Sequence, residues 1–139
     1  MNPDRPSKRP KNTPSKTSWL AFEVELPSHL HLPLPALLFL WAKEEPREGL
    51  SLHLHPFDLC LSAIYPPDRA IFTLSEPTPS WIDLSIESTA IGKAHDEWIY
   101  GPRLWILHTA FDSSQETTYL SLWERAIAGL LCLKPSDAS

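Results

Sequence analysis

The chain has 139 residues, 42% hydrophobic and 21% charged, with fifteen prolines and only four glycines. That length suits one domain with a core closed by apolar burial, without disulfides or a structural metal. Proline and glycine usually stand near 5% and 7%, so this bias argues against glycine-rich phosphate loops and long helices.

The net charge of −5 is unevenly spread. Residues 1–16 carry Arg5, Lys8, Arg9, Lys11 and Lys16 against the single Asp4, a balance of +4 that leaves −9 on the rest. Four prolines and no aromatic residue in 1–17 predict a disordered basic arm, followed by one α+β domain over 18–134 and a tail over 135–139. A basic arm attracts phosphate on anionic lipid or nucleic acid by a salt-sensitive, sequence-blind force; the plainer alternative is a solubilising terminus.

Order is expected to begin at Ser18. Over residues 19–26, Leu20, Phe22, Val24 and Leu26 alternate with Trp19, Ala21, Glu23 and Glu25, a half-buried strand ending at Pro27. Residues 35–45 predict a short helix, because Pro35 suits a first turn and Ala and Leu are strong helix formers. A buried strand is the alternative there. Residues 50–54 alternate with Leu50, Leu52 and Leu54 inward, and Pro56 predicts a bulge or edge position before the strand resumes over 57–65.

Tyr65-Pro66-Pro67-Asp68 reads as a turn, residues 70–74 as a strand and 76–80 as a loop. Residues 81–87 alternate as a strand, 88–97 read as an exposed connection around Gly92, and Pro102 introduces a strand over 103–109. Ser113 and Glu116 fit a capping box opening a helix of about 15–20 residues, with Tyr119, Leu120, Trp123, Ala126, Ile127, Leu130 and Leu131 at helical spacing. The order predicts a mostly antiparallel sheet, a short helix after the first strand and a long C-terminal amphipathic helix.

The chemistry-bearing residues are sparse. His29-x-His31 and His53-x-His55 could each present two imidazoles on one face, as metal sites do, but no third ligand is tied to them by spacing. They therefore read as solvent-side histidines, with no metal and no cofactor expected. His95-Asp96-Glu97 lacks a nucleophile or an oxyanion turn, and His108 ends a strand without an identifiable partner. Cys60 and Cys132, in apolar settings, read as reduced, buried thiols. No catalytic residue is assigned. Trp19, Trp81 and Trp105 stand out: they fall on strand faces opposite the apolar alternation and mark an interaction surface unless the sheet is covered on both sides.

Met1 is followed by prolines and charges, and the most apolar stretch, 30–42, is interrupted by His31, Pro33 and Pro35. Neither a secretion signal nor a membrane span is expected. Several segments together, PSKRPK, WLAFEVEL, ALLFLWAKEE, WIDLSIES, GPRLWILHTA and YLSLWERAIAGLLCL, give an order that resembles the small matrix proteins of negative-strand RNA viruses, of rhabdovirus and bornavirus type. The resemblance implies a non-enzymatic protein of virion and host cytoplasm that self-associates and bridges an anionic membrane surface to viral ribonucleoprotein or RNA. Arg5, Lys8, Arg9, Lys11 and Lys16 would match the family's basic membrane-binding arm. Neither Tyr65-Pro66-Pro67 nor Pro77-Thr78-Pro79-Ser80 completes a budding motif of that family. The alternatives are a small intracellular, viral-accessory adaptor whose arm binds nucleic acid or a host protein, and a metal enzyme built on the two histidine pairs.

Overall fold

The computed structural model describes residues 17–75 and 79–134. The arm residues Arg5, Lys8, Arg9, Lys11 and Lys16, part of the expected 76–80 loop, and the tail lie outside the described residues. Strands β1 (Thr17–Glu25), β2 (Ser51–Leu54), β3 (Phe57–Tyr65), β4 (Arg69–Leu74), β5 (Ser80–Ala94) and β6 (Glu97–Asp112) form one sheet in the order β1-β6-β5-β4-β3-β2. Every neighbouring pair is antiparallel. With α1 (Leu34–Ala42) after the first strand and α2 (Glu116–Leu131) at the C-terminal end, the class is α+β, as the sequence predicts.

Alternation sorts the side chains onto two faces. One register row places Phe22, Ile106, Leu84, Ala70 and Ile64 side by side, and the next places Leu20, His108, Ile82, Phe72 and Leu61. Apart from the polar His108, these inner residues join or pack against Leu34, Leu37, Leu38 and Trp41 of α1 and Tyr119, Trp123, Ala126 and Leu130 of α2 in one core cluster. Burial of a leucine or phenylalanine contributes about 1.5–3 kcal/mol, so this face carries the main stabilising term.

Several boundaries differ from the sequence expectation. Thr17 already belongs to β1. Helix α1 stops at Ala42, where Lys43 turns left-handed (φ 64°) while its N–H donates to the Phe39 carbonyl. Leu50 is exposed, because β2 begins only at Ser51. Pro56 makes no bulge: Leu54 pairs with Phe57, so the chain reverses through the cis His55–Pro56 pair. The capping box does not form. Asp112 accepts the Ser114 N–H instead, and Glu116 accepts a hydrogen bond from the Ser18 hydroxyl at 2.6 Å, tying α2 to β1.

The largest correction concerns 88–97. This stretch continues β5, and His95 and Asp96, both at positive φ (53° and 65°), form a two-residue hairpin turn into β6. Such turns usually carry Asn-Gly, whose absence hid the hairpin. Pairing with β4 ends at Ser85 and pairing with β1 ends at Arg103, so the hairpin projects beyond both neighbours as a two-stranded ribbon. Pro102 lies inside β6 where no strand follows on its outer side, a position that tolerates its missing N–H. A second irregularity sits at Ala110 (φ 70°), left unpaired between Thr109 and Phe111. That extra residue shifts the alternation and turns Phe111 into the core.

Candidate functional site

On the inner face, a buried polar chain joins sheet and helix. Ser80 and His108 stand 1% and 0% exposed, on the adjacent strands β5 and β6. The Trp123 indole N–H of α2 donates to His108 Nδ1 at 3.0 Å, and His108 Nε2 lies 2.8 Å from Ser80 Oγ. An indole nitrogen can only donate, so Nδ1 is the acceptor and the neutral ring carries its proton on Nε2, which donates to Ser80. That tautomer cannot accept the serine proton, so this pair is a structural tie and not a serine–base dyad. Burial lowers the His108 pKa to about 4, which keeps the ring neutral near pH 7.

Aromatic rings enclose the chain. His108 lies 4.6 Å from Tyr119 and 4.8 Å from Phe111, and Phe57 lies 4.4 Å from Trp123, centroid to centroid. Burial also raises the Tyr119 pKa. No spacing in the sequence ties His108 to Ser80 or Trp123, but its phase with Leu104 and Ile106 signals that it faces inward. Beside this cluster an opening of about 440 Å³ lies between the β3 start, the β4 end and α2, lined by Phe57, Asp58, Leu74, Thr118, Tyr119 and Leu122 among others.

The outer face is different. Trp19 and Trp81 flank Thr109 in one register row, a strand to either side. They are 64% and 52% exposed. The next row holds Ala21, an exposed Leu107, Asp83 and Ile71, and the row beyond it Glu23, a half-buried Trp105, Ser85 and Arg69. The three tryptophans singled out from the sequence therefore share one face. The inner core cluster contains both helices' buried residues, which leaves this outer face uncovered among the described residues.

Four charges on that face are paired, Arg69 with Asp83 and Arg103 with Glu23, while the exposed Glu87 of the same face has no ion pair among the described residues. Arg69 makes a two-pronged contact with Asp83, at 2.7 and 3.2 Å, and this hydrogen bonding raises its pKa further. Arg103 bonds Glu23 at 2.6 Å and approaches Glu25 at 3.9 Å. Trp105 Nε1, Arg103 Nε and Thr89 Oγ1, on the same side, are buried without a hydrogen-bond partner. The projecting ribbon adds exposed Trp98, Ile99 and Tyr100, with Lys93 Nζ 5.3 Å from the Trp98 ring.

The two histidine pairs take different settings: the His53 and His55 rings lie 5.7 Å apart, centroid to centroid, whereas His29 and His31 each turn to a backbone carbonyl. His29 sits in a one-turn 3-10 segment (Ser28–Leu30) with Nε2 2.8 Å from the Leu133 carbonyl, and His31 Nε2 lies 2.8 Å from that of Leu26. His53 Nδ1 contacts the Asp58 carboxylate at 2.6 Å. Among the described residues no three His, Cys, Asp or Glu side chains gather at metal-binding distance. The thiols are less enclosed than expected: Cys60 is half-buried within β3, in the outer row of Thr73 and Trp81, and Cys132 is exposed at the C-cap of α2.

No family model and no curated protein matches the chain. The solved structure of CalU16 from Micromonospora echinospora is similar to it, at 15% sequence identity and a TM-score of 0.50, covering 84% of this chain and 74% of that one. The likeness is one of fold. Among the described residues no helix is long and apolar enough to cross a membrane.

Proposed function

We propose that this protein is a non-catalytic assembly protein, of the matrix type that its sequence resembles. In this reading the uncovered sheet face docks protein, and Arg5, Lys8, Arg9, Lys11 and Lys16 hold the chain to an anionic membrane surface. The observation that carries it is the outer face, where exposed Trp19 and Trp81 flank one strand while the neighbouring charges are already paired. Water-exposed indoles of that size are costly to leave uncovered and gain most from a partner. The ribbon's Trp98 and Tyr100 beside Lys93 suit the boundary between an apolar phase and water.

Sedimentation with phosphatidylserine-containing vesicles tests the membrane part. Full-length protein pelleting at about 50 mM salt, and releasing as salt rises toward about 500 mM, is the expected result. Substituting Lys8, Arg9 and Lys11 with alanine weakens it. Protein that ignores such vesicles at low salt and binds single-stranded RNA instead converts the reading to the nucleic-acid adaptor.

A second reading rests on the opening beside Tyr119, whose apolar lining with Asp58 and Thr118 on it suits a small amphipathic molecule. Saturable fluorescence enhancement of the neutral probe N-phenyl-1-naphthylamine, lost in Thr118→Trp, supports it. Enhancement that is absent, or indifferent to this substitution, removes it.

A further inference from the structure

We propose that, while the protein is free in solution, residues 1–16 of the same chain lie over the outer face of the sheet, their basic side chains against its carboxylates. The contact joins two surfaces that the assembly reading uses separately, and so goes beyond that reading. The arm covers the indoles, and the face withholds the arm from an anionic membrane until the arm is drawn away.

Charge selects this occupant. In the rows from Trp19 to Glu25 the face carries Glu23, Glu25, Asp83 and Glu87 against Arg69 and Arg103, a balance of −2. Arg5, Lys8, Arg9, Lys11 and Lys16 with Asp4 give the arm +4. Both guanidiniums are engaged, by Asp83 and Glu23, so the exposed Glu87 stands without a cation among the described residues. A face of that sign repels headgroup phosphate, nucleic acid and a second copy of itself, and attracts a basic segment.

The relief of the face fits an extended segment. Its centre is a hollow of about 560 Å³, where Ala21 and Ser85 are short beside Trp105 and Leu107, and Asp83 and Glu87 also line it. Proline-rich segments dock on aromatic-lined surfaces, and cations sit over indole rings. An arm of prolines, lysines and arginines therefore suits a floor that presents Trp19, Trp81 and the half-buried Trp105.

Reach sets the register. Thr17 opens β1 two residues before Trp19, so the arm leaves from the edge of the face it covers. From Thr17 to Glu25 is about 26 Å along a strand. A proline-rich extended chain advances about 3.1 Å per residue, so Arg9 and Lys8 reach about 25–28 Å from Thr17. After a few residues spent on reversing direction, Arg5 to Arg9 lie over the row of Glu25, Arg103 and Glu87, and Pro10 and Pro14 over the tryptophan rows. The direct tether sets an effective concentration on the order of millimolar, which favours the arm over a free partner of the same charge.

Paramagnetic relaxation in NMR spectra of the full-length chain tests this, with a nitroxide on Ser7→Cys and the native thiols removed by Cys60→Ala and Cys132→Ser. Amide signals of Glu25, Glu87 and Arg103 are expected to broaden. The last turn of α2, which runs beside β1 from the Ser18–Glu116 bond to the His29–Leu133 contact, lies about as far from Thr17 on the other side of the sheet and stays sharp. Glu25→Lys with Glu87→Lys, both exposed, abolishes the broadening of the face; should that variant unfold, raising the salt of the parent to about 500 mM, where screening acts within about 8 Å, takes its place. A mixture of spin-labelled chain with separately isotope-enriched, unlabelled chain shows no broadening, because the contact is within one chain. A face that stays sharp, equal broadening on both sides of the sheet, broadening indifferent to charge reversal or salt, or broadening in the mixture overturns the inference. Vesicle binding is scored separately: an arm that ignores the face yet pellets with anionic vesicles defeats the docking and leaves the membrane reading standing, and an arm on the face of a protein that never pellets does the reverse.

Discussion

The two faces of one sheet make a controlled comparison, because the same strands supply both. The inner face is finished: its polar groups, Ser80, His108 and the Trp123 indole, bond one another, and rings from three elements close around them. The outer face holds large indoles too, but among the described residues no helix lies over them, and Arg69 and Arg103 are bonded to Asp83 and Glu23 beside them. A tryptophan on the first face is therefore a stability element, and on the second Trp19 and Trp81 are exposed surface. The same residue type plays two roles because what covers it differs.

The largest expected effect breaks the inner face. Trp123→Ala removes the helix side of the ring cluster and leaves His108 Nδ1 without its donor, which costs about 3–5 kcal/mol of folding stability by urea denaturation. A loss under about 1 kcal/mol would mean that the cluster is not the keystone between sheet and helix.

Acid provides the next test. His108 has a pKa of about 4 in the folded protein, against about 6.5 for an unperturbed, unfolded-chain histidine. The unfolded chain thus takes up the proton first as pH falls. The stabilising contribution is whole above pH 6.5 and is lost progressively between about 6.5 and 4, with a slope near 1.4 kcal/mol per pH unit and a total of about 3 kcal/mol. Tyr119, the titratable ring beside His108, is a neutral phenol throughout this window, and burial moves its pKa further upward. His108→Asn is expected to flatten this part of the stability curve; an unchanged acid slope would assign the effect elsewhere.

The smallest effect belongs to the outer face. Trp81→Ser at concentrations where the protein is monomeric changes stability by no more than about 0.5 kcal/mol, as expected for an exposed site. A much larger loss would show that this face contributes to the fold itself, and the contrast between the faces would narrow.

Much of this was legible residue by residue. Period-two alternation assigned β1, β2, the first half of β5 and the middle of β6, and helical spacing placed Trp123, Ala126 and Leu130 inward. It also put Trp19, Trp81 and Trp105 opposite the apolar rows, since that inference needs only local geometry. The ribbon was not legible, because His95-Asp96 lacks the usual signature of a two-residue turn and Gly92 imitates a loop. Phe111 was hidden by the extra residue at Ala110, which resets the alternation without a glycine to mark it.

Partnership was the deeper limit. The sequence by itself determined the class of fold, the period of each main element and the segregation of basic charge into residues 1–16, all properties of neighbours along the chain. Only the tertiary structure decided that β1 pairs with β6, bringing Trp19 and Trp81 to either side of Thr109. It alone brought Ser80, His108 and Trp123 within hydrogen-bonding distance. Those relations join residues tens of positions apart, and they follow from strand order and helix placement, which the folding of the whole chain sets through the shared burial of one core.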